Sequence, residues 1–249
     1  MRRWGASPAL LATLLAFLLH TPTATAAGFD LRWDACAADA GVSNKDFACD
    51  TDDGQHTMVA SFILAQPLTG VFLAEAVLDL IVAGNQPVPA WWDINDCRLF
   101  ALYADVTYSP ASVNCADWPG GLNGAAMSGY TSAGTIAPGD SASHRRMTVI
   151  GGASAPVNLV ADQDYFVFNL VLGNSSTVDP GACAGCAVPV CIVLNSITLR
   201  SMSFQELGTL TTPVAPGSNF ATWQGGAGAN CLSVPARRTT WGAVKSLYR

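Results

Sequence analysis

Two apolar runs decide the fold: Asp164 to Gly173, DYFVFNLVLG, and Val188 to Arg200, VPVCIVLNSITLR, on either side of the cysteine-rich insert NSSTVDPGACAGC at 174–186. Tyr165, Phe166, Val167, Phe168, Leu170, Val171 and Leu172 form an almost unbroken apolar and aromatic stretch. Such a stretch suits a strand covered on both faces. Cys191, Ile192, Val193 and Leu194 repeat the pattern, and Asn174 and Pro180 mark the break between the runs. The reading is two central strands of one sheet, joined over one end of the fold by a loop that Cys183 and Cys186 tie together.

Working outward, the composition agrees with strands. Glycine and proline number 23 and 14, charged residues are only 12% of the chain, and the acidic residues are almost all Asp, which favours turns where Glu favours helices. A half-buried first strand is expected at Gly28 to Trp33, and further strands at Thr57 to Ala65, Glu75 to Ala83, Cys97 to Tyr108, Arg145 to Ile150 and Phe220 to Trp223. A short element at Met202 to Leu207 precedes a further strand at Gly208 to Val214. The stretch from Asn114 to Gly134, with Trp118-Pro119-Gly120-Gly121, reads as a long loop. The expected fold is an all-β antiparallel sandwich, jelly-roll or cohesin-like, with long disulfide-tied loops and a short C-terminal helix.

Arg2 and Arg3, the apolar run Ala9 to Leu19 and the small residues up to Ala27 have the form of a secretory signal peptide over 1–26. That run is too short to span a bilayer, and Glu75 and Asp79 interrupt the next apolar candidate, Val71 to Val82, so no transmembrane segment is expected. A single domain over 27–236 and a basic tail over 237–249 follow. Localisation is expected to be secreted or in the cell envelope, outside the cytoplasm. Loss of Arg2 and Arg3 takes the formal net charge from -6 to -8, which disfavours nucleic acid as a partner.

All eight cysteines lie after the signal peptide: Cys36, Cys49, Cys97, Cys115, Cys183, Cys186, Cys191 and Cys231. An even count in an exported chain implies disulfides. Because short loops are the easiest to close, the expected pairs are Cys36 with Cys49, Cys97 with Cys115, Cys183 with Cys186, and Cys191 with Cys231. Four thiolates starting from C-x-x-C also offer a zinc site, but an oxidising compartment favours crosslinks and a second C-x-x-C is missing; no metal is expected. The prolines and glycine around Cys183-Ala-Gly-Cys186 describe a loop, which removes the helix start that thioredoxin-like chemistry needs. Asp50-x-Asp52-Asp53-Gly54 departs from the EF-hand pattern, and its carboxylates read as turn residues.

Catalytic motifs are few. Only His56 and His144 remain after cleavage, neither beside a recognisable nucleophile, and Gly152-Ala-Ser-Ala-Pro156 fails the nucleophile-elbow pattern. No phosphate-binding loop, dinucleotide fingerprint or zinc-protease motif is present, so no cofactor is expected. The aromatics Trp91, Trp92, Trp118 and Tyr130 fall in or beside loops, where a flat ring can serve as a platform for a sugar or an anchor for a protein. Neighbours in an extended chain face opposite ways, so one of Trp91 and Trp92 is expected to be exposed. The other reading is that these rings close the end of the sandwich.

Strand pattern and Asp- and Gly-rich turns resemble the β-sandwich modules of bacterial extracellular proteins, cohesins and carbohydrate-binding modules among them. The Cys183-Ala-Gly-Cys186 loop and the closing Thr240-Trp241-Gly242-Ala243-Val244-Lys245-Ser246-Leu247-Tyr248-Arg249 resemble an uncharacterised group of secreted bacterial proteins, which implies no activity. The expectation is a secreted, non-catalytic binding module for a protein or glycan. A structural subunit of an extracellular assembly, self-associating or docking through a strand edge or the basic tail, and a glycoside-acting enzyme are the alternatives.

Overall fold

The computed structural model describes residues 27–109, 114–132, 142–227, 229 and 231. The signal-peptide region and the tail with its expected helix lie outside these residues. The described chain is all-β, two sheets packed face to face, antiparallel throughout except for one short parallel pair, Thr222 and Trp223 against Asn44 and Lys45. The strands are β1 (Gly28–Trp33), β2 (Asn44–Lys45), β3 (Gln55–Ile63), β4 (Leu68–Val82), β5 (Leu102–Asp105), β6 (Leu122–Ser132), β7 (His144–Leu159), β8 (Asp164–Gly173), β9 (Val190–Arg200), β10 (Glu206–Leu210) and β11 (Phe220–Trp223). The smaller sheet has the order β1-β3-β8-β5, and the larger runs β2-β11-β9-β4-β7-β6, with β10 also paired to β9.

Alternation builds the core. Leu78, Leu80, Ala76 and Ala74 of β4 point to one side and meet Leu31, Met58, Ala60, Leu170 and Leu172 from the smaller sheet, all of them buried. At roughly 25 cal/mol per Å² of apolar surface, this shared interior is the main force that holds the sheets together.

The two runs that decide the fold are both central strands, but they belong to different sheets: β8 lies between β3 and β5, and β9 between β4 and β11. The insert therefore crosses from one sheet to the other. The stretch expected to be a long loop contains β6, which pairs with β7 from Leu122 to Ser132. Glycine and alanine hid it, because β6 is the edge strand and has small side chains instead of an alternating apolar face. Conversely, the strand expected from Cys97 begins only at Leu102, since turns occupy 94–100.

Three of the four expected disulfides are corrected. The bonds are Cys36–Cys115, Cys49–Cys186, Cys97–Cys183 and Cys191–Cys231, so only the last matches. The reason is tertiary: once the sheets pack, cysteines 79 to 137 residues apart stand with Cα atoms about 6 Å from each other, and loop length no longer decides. Cys183 and Cys186 go to separate partners, which nails the insert to two different loops. Gly185 allows this approach, because a Cβ there would lie 2.4 Å from Pro89.

Candidate functional site

The four aromatics expected to bind a ligand are placed in the interior. Trp91 and Trp92 are fully buried, Trp118 is 2% exposed and Tyr130 7%. Alternation fails at Trp91 and Trp92 because Ala90–Trp92 is a turn of 3-10 helix, which sends both rings inward. Trp91 lies tilted against Trp223 at 4.9 Å, and its indole donates to Thr177 Oγ1 at 2.9 Å. Trp92 meets Trp223 edge-on at 5.6 Å. Trp118 donates from its indole to Phe166 O at 2.8 Å, and the Tyr130 hydroxyl donates to Trp92 O. No face of these rings is open to a platform role. Trp91 and Trp92 gather on Trp223, as in the other reading that the sequence allowed, whereas Trp118 packs separately, edge-on to Phe62.

A cleft among the described residues lies elsewhere, on the outer face of the smaller sheet, with a volume of about 400 Å³. Strand register builds it in rows. Thr57 of β3 stands opposite Val171 of β8, which stands opposite Tyr103 of β5. One pleat along, Val59, Asn169 and Asp105 form the next row. Asp34 just beyond β1, Gln55, and Thr107 and Ser109 after β5 complete the rim. Side chains two apart on a strand share a face, so a polar, shallow surface follows from Gln55-x-Thr57 and from Asn169, the one polar residue inside the apolar run of β8.

Its polar groups are pre-set. The Asn169 amide donates to Thr107 O at 3.2 Å, and Asp105 Oδ1 accepts from the Thr107 backbone N–H at 3.0 Å and its hydroxyl at 2.8 Å. Tyr103 is 42% exposed and its hydroxyl donates to Gln55 Oε1 at 3.2 Å, which fixes the ring at the rim. Lys45 holds Asp34 at 2.5 Å. Asp34 has φ of 68°, a left-handed backbone that costs a non-glycine residue of order 1 kcal/mol and places its carboxylate at the cleft.

A covalent bar bounds the cleft on one side. Cys36 follows β1 and Cys115 lies beside β8, and their disulfide crosses the sheet over Val59 and Phe166. The chain after Cys115 is pinned to β8: Ala116 N–H donates to Asp164 O at 2.7 Å, and Phe166 N–H to Ala116 O at 2.9 Å. Beyond the bar lie Asp30, Ser61 and Asp164, described below.

Other residues singled out in the sequence have structural partners. Asp52 Oδ1 accepts from the backbone N–H groups of Thr177 and Val178 at 2.6 and 2.8 Å, a turn carboxylate. Glu75 pairs with Arg200 at 3.1 Å on the other sheet, and Glu206 accepts from Thr209 at 2.6 Å, so neither glutamate belongs to the cleft. His56 points inward, 4.1 Å from the Phe47 ring, and burial pushes its pKa below the ordinary value. His144 begins β7, on the larger sheet. Among the described residues no group of three or more His, Cys, Asp or Glu is arranged to hold a metal ion.

What sequence reasoning missed is the outward row itself: Thr57, Tyr103, Asp105 and Asn169. The available signal was Asn169, a polar interruption at a position whose neighbours are all apolar. Four formed disulfides are the chemistry of an oxidising, extracytoplasmic environment. Among the described residues no helix is long and apolar enough to cross a membrane. No family model matches the chain, nor does any curated protein or solved structure.

Proposed function

We propose that the protein is an exported, non-catalytic binding module that holds a neutral glycan in the cleft on the outer face of β3, β8 and β5. The observation that carries this reading is the lining. Hydroxyls, amides and carboxylates stand in register along the strands beside one exposed, tethered tyrosine ring. Sugars present hydroxyls in rows with an apolar ring face, and such a lining meets both. A protein ligand would call instead for a deep apolar anchor pocket. Both carboxylates of the cleft already accept hydrogen bonds, which favours holding a ligand over proton transfer. Screening the mature protein against a glycan array, with Tyr103→Ala and Asn169→Ala beside the wild type, tests the reading. Glycan binding that either substitution weakens at least tenfold supports it; binding unaltered in both variants contradicts it.

A second reading, a subunit of an extracellular assembly, is favoured by β6. This edge strand from Leu122 to Ser132 carries no charged residue and no proline, the devices that keep edges from pairing. The mass of the mature protein in solution, with and without a charge placed at Ala126, separates the two readings.

A further inference from the structure

Beyond the Cys36–Cys115 bar, register places two buried polar side chains, Asp30 and Ser61, and the half-buried Asp164 on the outer face of the smaller sheet. Asp30 of β1 stands opposite Ser61 of β3, and Ser61 stands opposite Phe166 of β8, two residues from Asp164. Asp30 is 2% exposed and Ser61 fully buried. One carboxylate oxygen of each aspartate, and the Ser61 hydroxyl, are buried without a hydrogen-bond partner of ordinary geometry. Three such oxygens on one face of three neighbouring strands, with one hydroxyl hydrogen among them, form a set that is short of donors. An unsatisfied buried acceptor costs about 1–3 kcal/mol, more when charged. A single added proton supplies the missing donor and removes a negative charge from the interior at the same time.

We infer that Asp30 and Asp164, which flank Ser61 from the strands on either side, do not both ionise in the folded protein, and that the proton retained there tightens the β1–β3–β8 face beside the Cys36–Cys115 bar in acid, while its loss loosens that face towards neutral pH. The inference does not depend on the cleft binding a glycan.

The surroundings support protonation. Removal from water raises both carboxyls, Asp164 to about 6, and each negative neighbour adds to the effect: Asp30 and Asp39 both act on Asp164. Opposing them are the Ser61 hydroxyl near Asp164, and Ser218 and Arg32 near Asp30, and burial outweighs all three. The segment at 114–118 that packs beside Asp164 brings only Asp117, whose carboxylate accepts from Trp118 N–H at 2.8 Å. The stretch 212–218 along β1 carries no charge. Asp164 is moreover the residue whose carbonyl pins the bar to the sheet, through Ala116 N–H at 2.7 Å. Loss of the proton therefore sets a buried negative charge at the anchor point of the bar.

The sign is fixed. A carboxyl whose folded pKa lies above its unfolded value contributes stability in full below the unfolded value, 3.8, and loses it as pH rises through about 6. The test is a carbon-detected NMR titration of the Asp carboxyl groups in the disulfide-bonded wild type, together with urea unfolding at about pH 4.5 and about pH 8. An Asp164 resonance that titrates near 6, or an Asp30 resonance raised above the ordinary carboxyl range, is expected. In unfolding, Asp164→Asn should match the wild type in acid and exceed it in the folding equilibrium constant by roughly tenfold to hundredfold near pH 8. If both carboxyls titrate with the exposed aspartates, the inference is overturned. It is equally overturned if Asp164→Asn folds and has the same pH profile as the wild type. Should that variant fail to fold, the wild-type titration decides.

Discussion

The guanidinium of Arg98 lies 3.6 Å above the ring of Trp91, and Arg98 is 1% exposed with no carboxylate among the described residues in salt-bridge reach. Its nitrogens donate instead to three backbone carbonyls, those of Trp91, Ser175 and Gly173. One side chain thus joins the turn at Trp91, the end of β8 and the start of the insert. Burial outweighs the distant Asp52 charge and lowers its pKa to about 10.

Arg98→Lys keeps the charge but not the planar fork, and leaves carbonyls unpaired. Its expected cost is about 2–4 kcal/mol in urea unfolding, with the native fold retained at low denaturant. A neutral result would remove Arg98 from the account of how this end closes.

The crosslinks give a covalent prediction. Non-reducing peptide mapping should recover Cys183 and Cys186 in one segment attached to two others, through Cys97 and Cys49. Recovery of a Cys183–Cys186 bond would contradict the structure. Loss of a bond that closes about a hundred residues costs about 4–5 kcal/mol in the chain-entropy account. Cys49→Ala with Cys186→Ala should therefore lower the unfolding midpoint by more than Cys191→Ala with Cys231→Ala, whose bond spans 40 residues.

The interior tryptophans and the rim tyrosine should separate cleanly. Trp118→Ala is expected to cost about 3–5 kcal/mol, because a buried ring and its bond to Phe166 O are both lost. Tyr103→Ala removes a half-exposed ring and should change stability by less than about 1 kcal/mol. Thermal unfolding of the two variants checks this. Equal losses would mean that Tyr103 is a packing residue.

His56 predicts a pH effect of the opposite sign to that of Asp164. Burial lowers its folded pKa, so the unfolded chain takes up the proton first, and stability is lost as pH falls below 6.5. Its ring protons should titrate with a midpoint under that value, and His56→Gln should flatten this part of the profile. A midpoint at or above 6.5 would contradict the buried position between Phe47 and Trp223.

The sequence was most legible where burial is strongest. β8 and β9 announce themselves because nearly all of their side chains are buried, and the alternating Leu78 and Leu80 mark the inward face of β4. It was least legible where position depends on packing between distant segments. The cysteines pair across the sandwich and not with near neighbours, and β6 hides behind Gly124, Ala125 and Ala126 as an edge strand. The aromatics misled for a physical reason. A tryptophan in a loop stays at the surface only if the loop does, and here the insert, held by Cys183 and Cys186, folds over Trp91 through Trp91 N–H to Ala184 O at 2.9 Å. The cleft was hidden because its residues are ordinary outward-facing strand positions, which become a site only when three strands align them.

The central claim, that the outer face of the smaller sheet is the ligand seat, is tested most directly by amide NMR of the mature protein titrated with the best glycan from the array. The account predicts saturable shifts at Gln55, Thr57, Tyr103, Asp105 and Asn169, with the indole signals of Trp91, Trp92 and Trp118 unmoved. Shifts confined to the larger sheet or to the tryptophan end would contradict it.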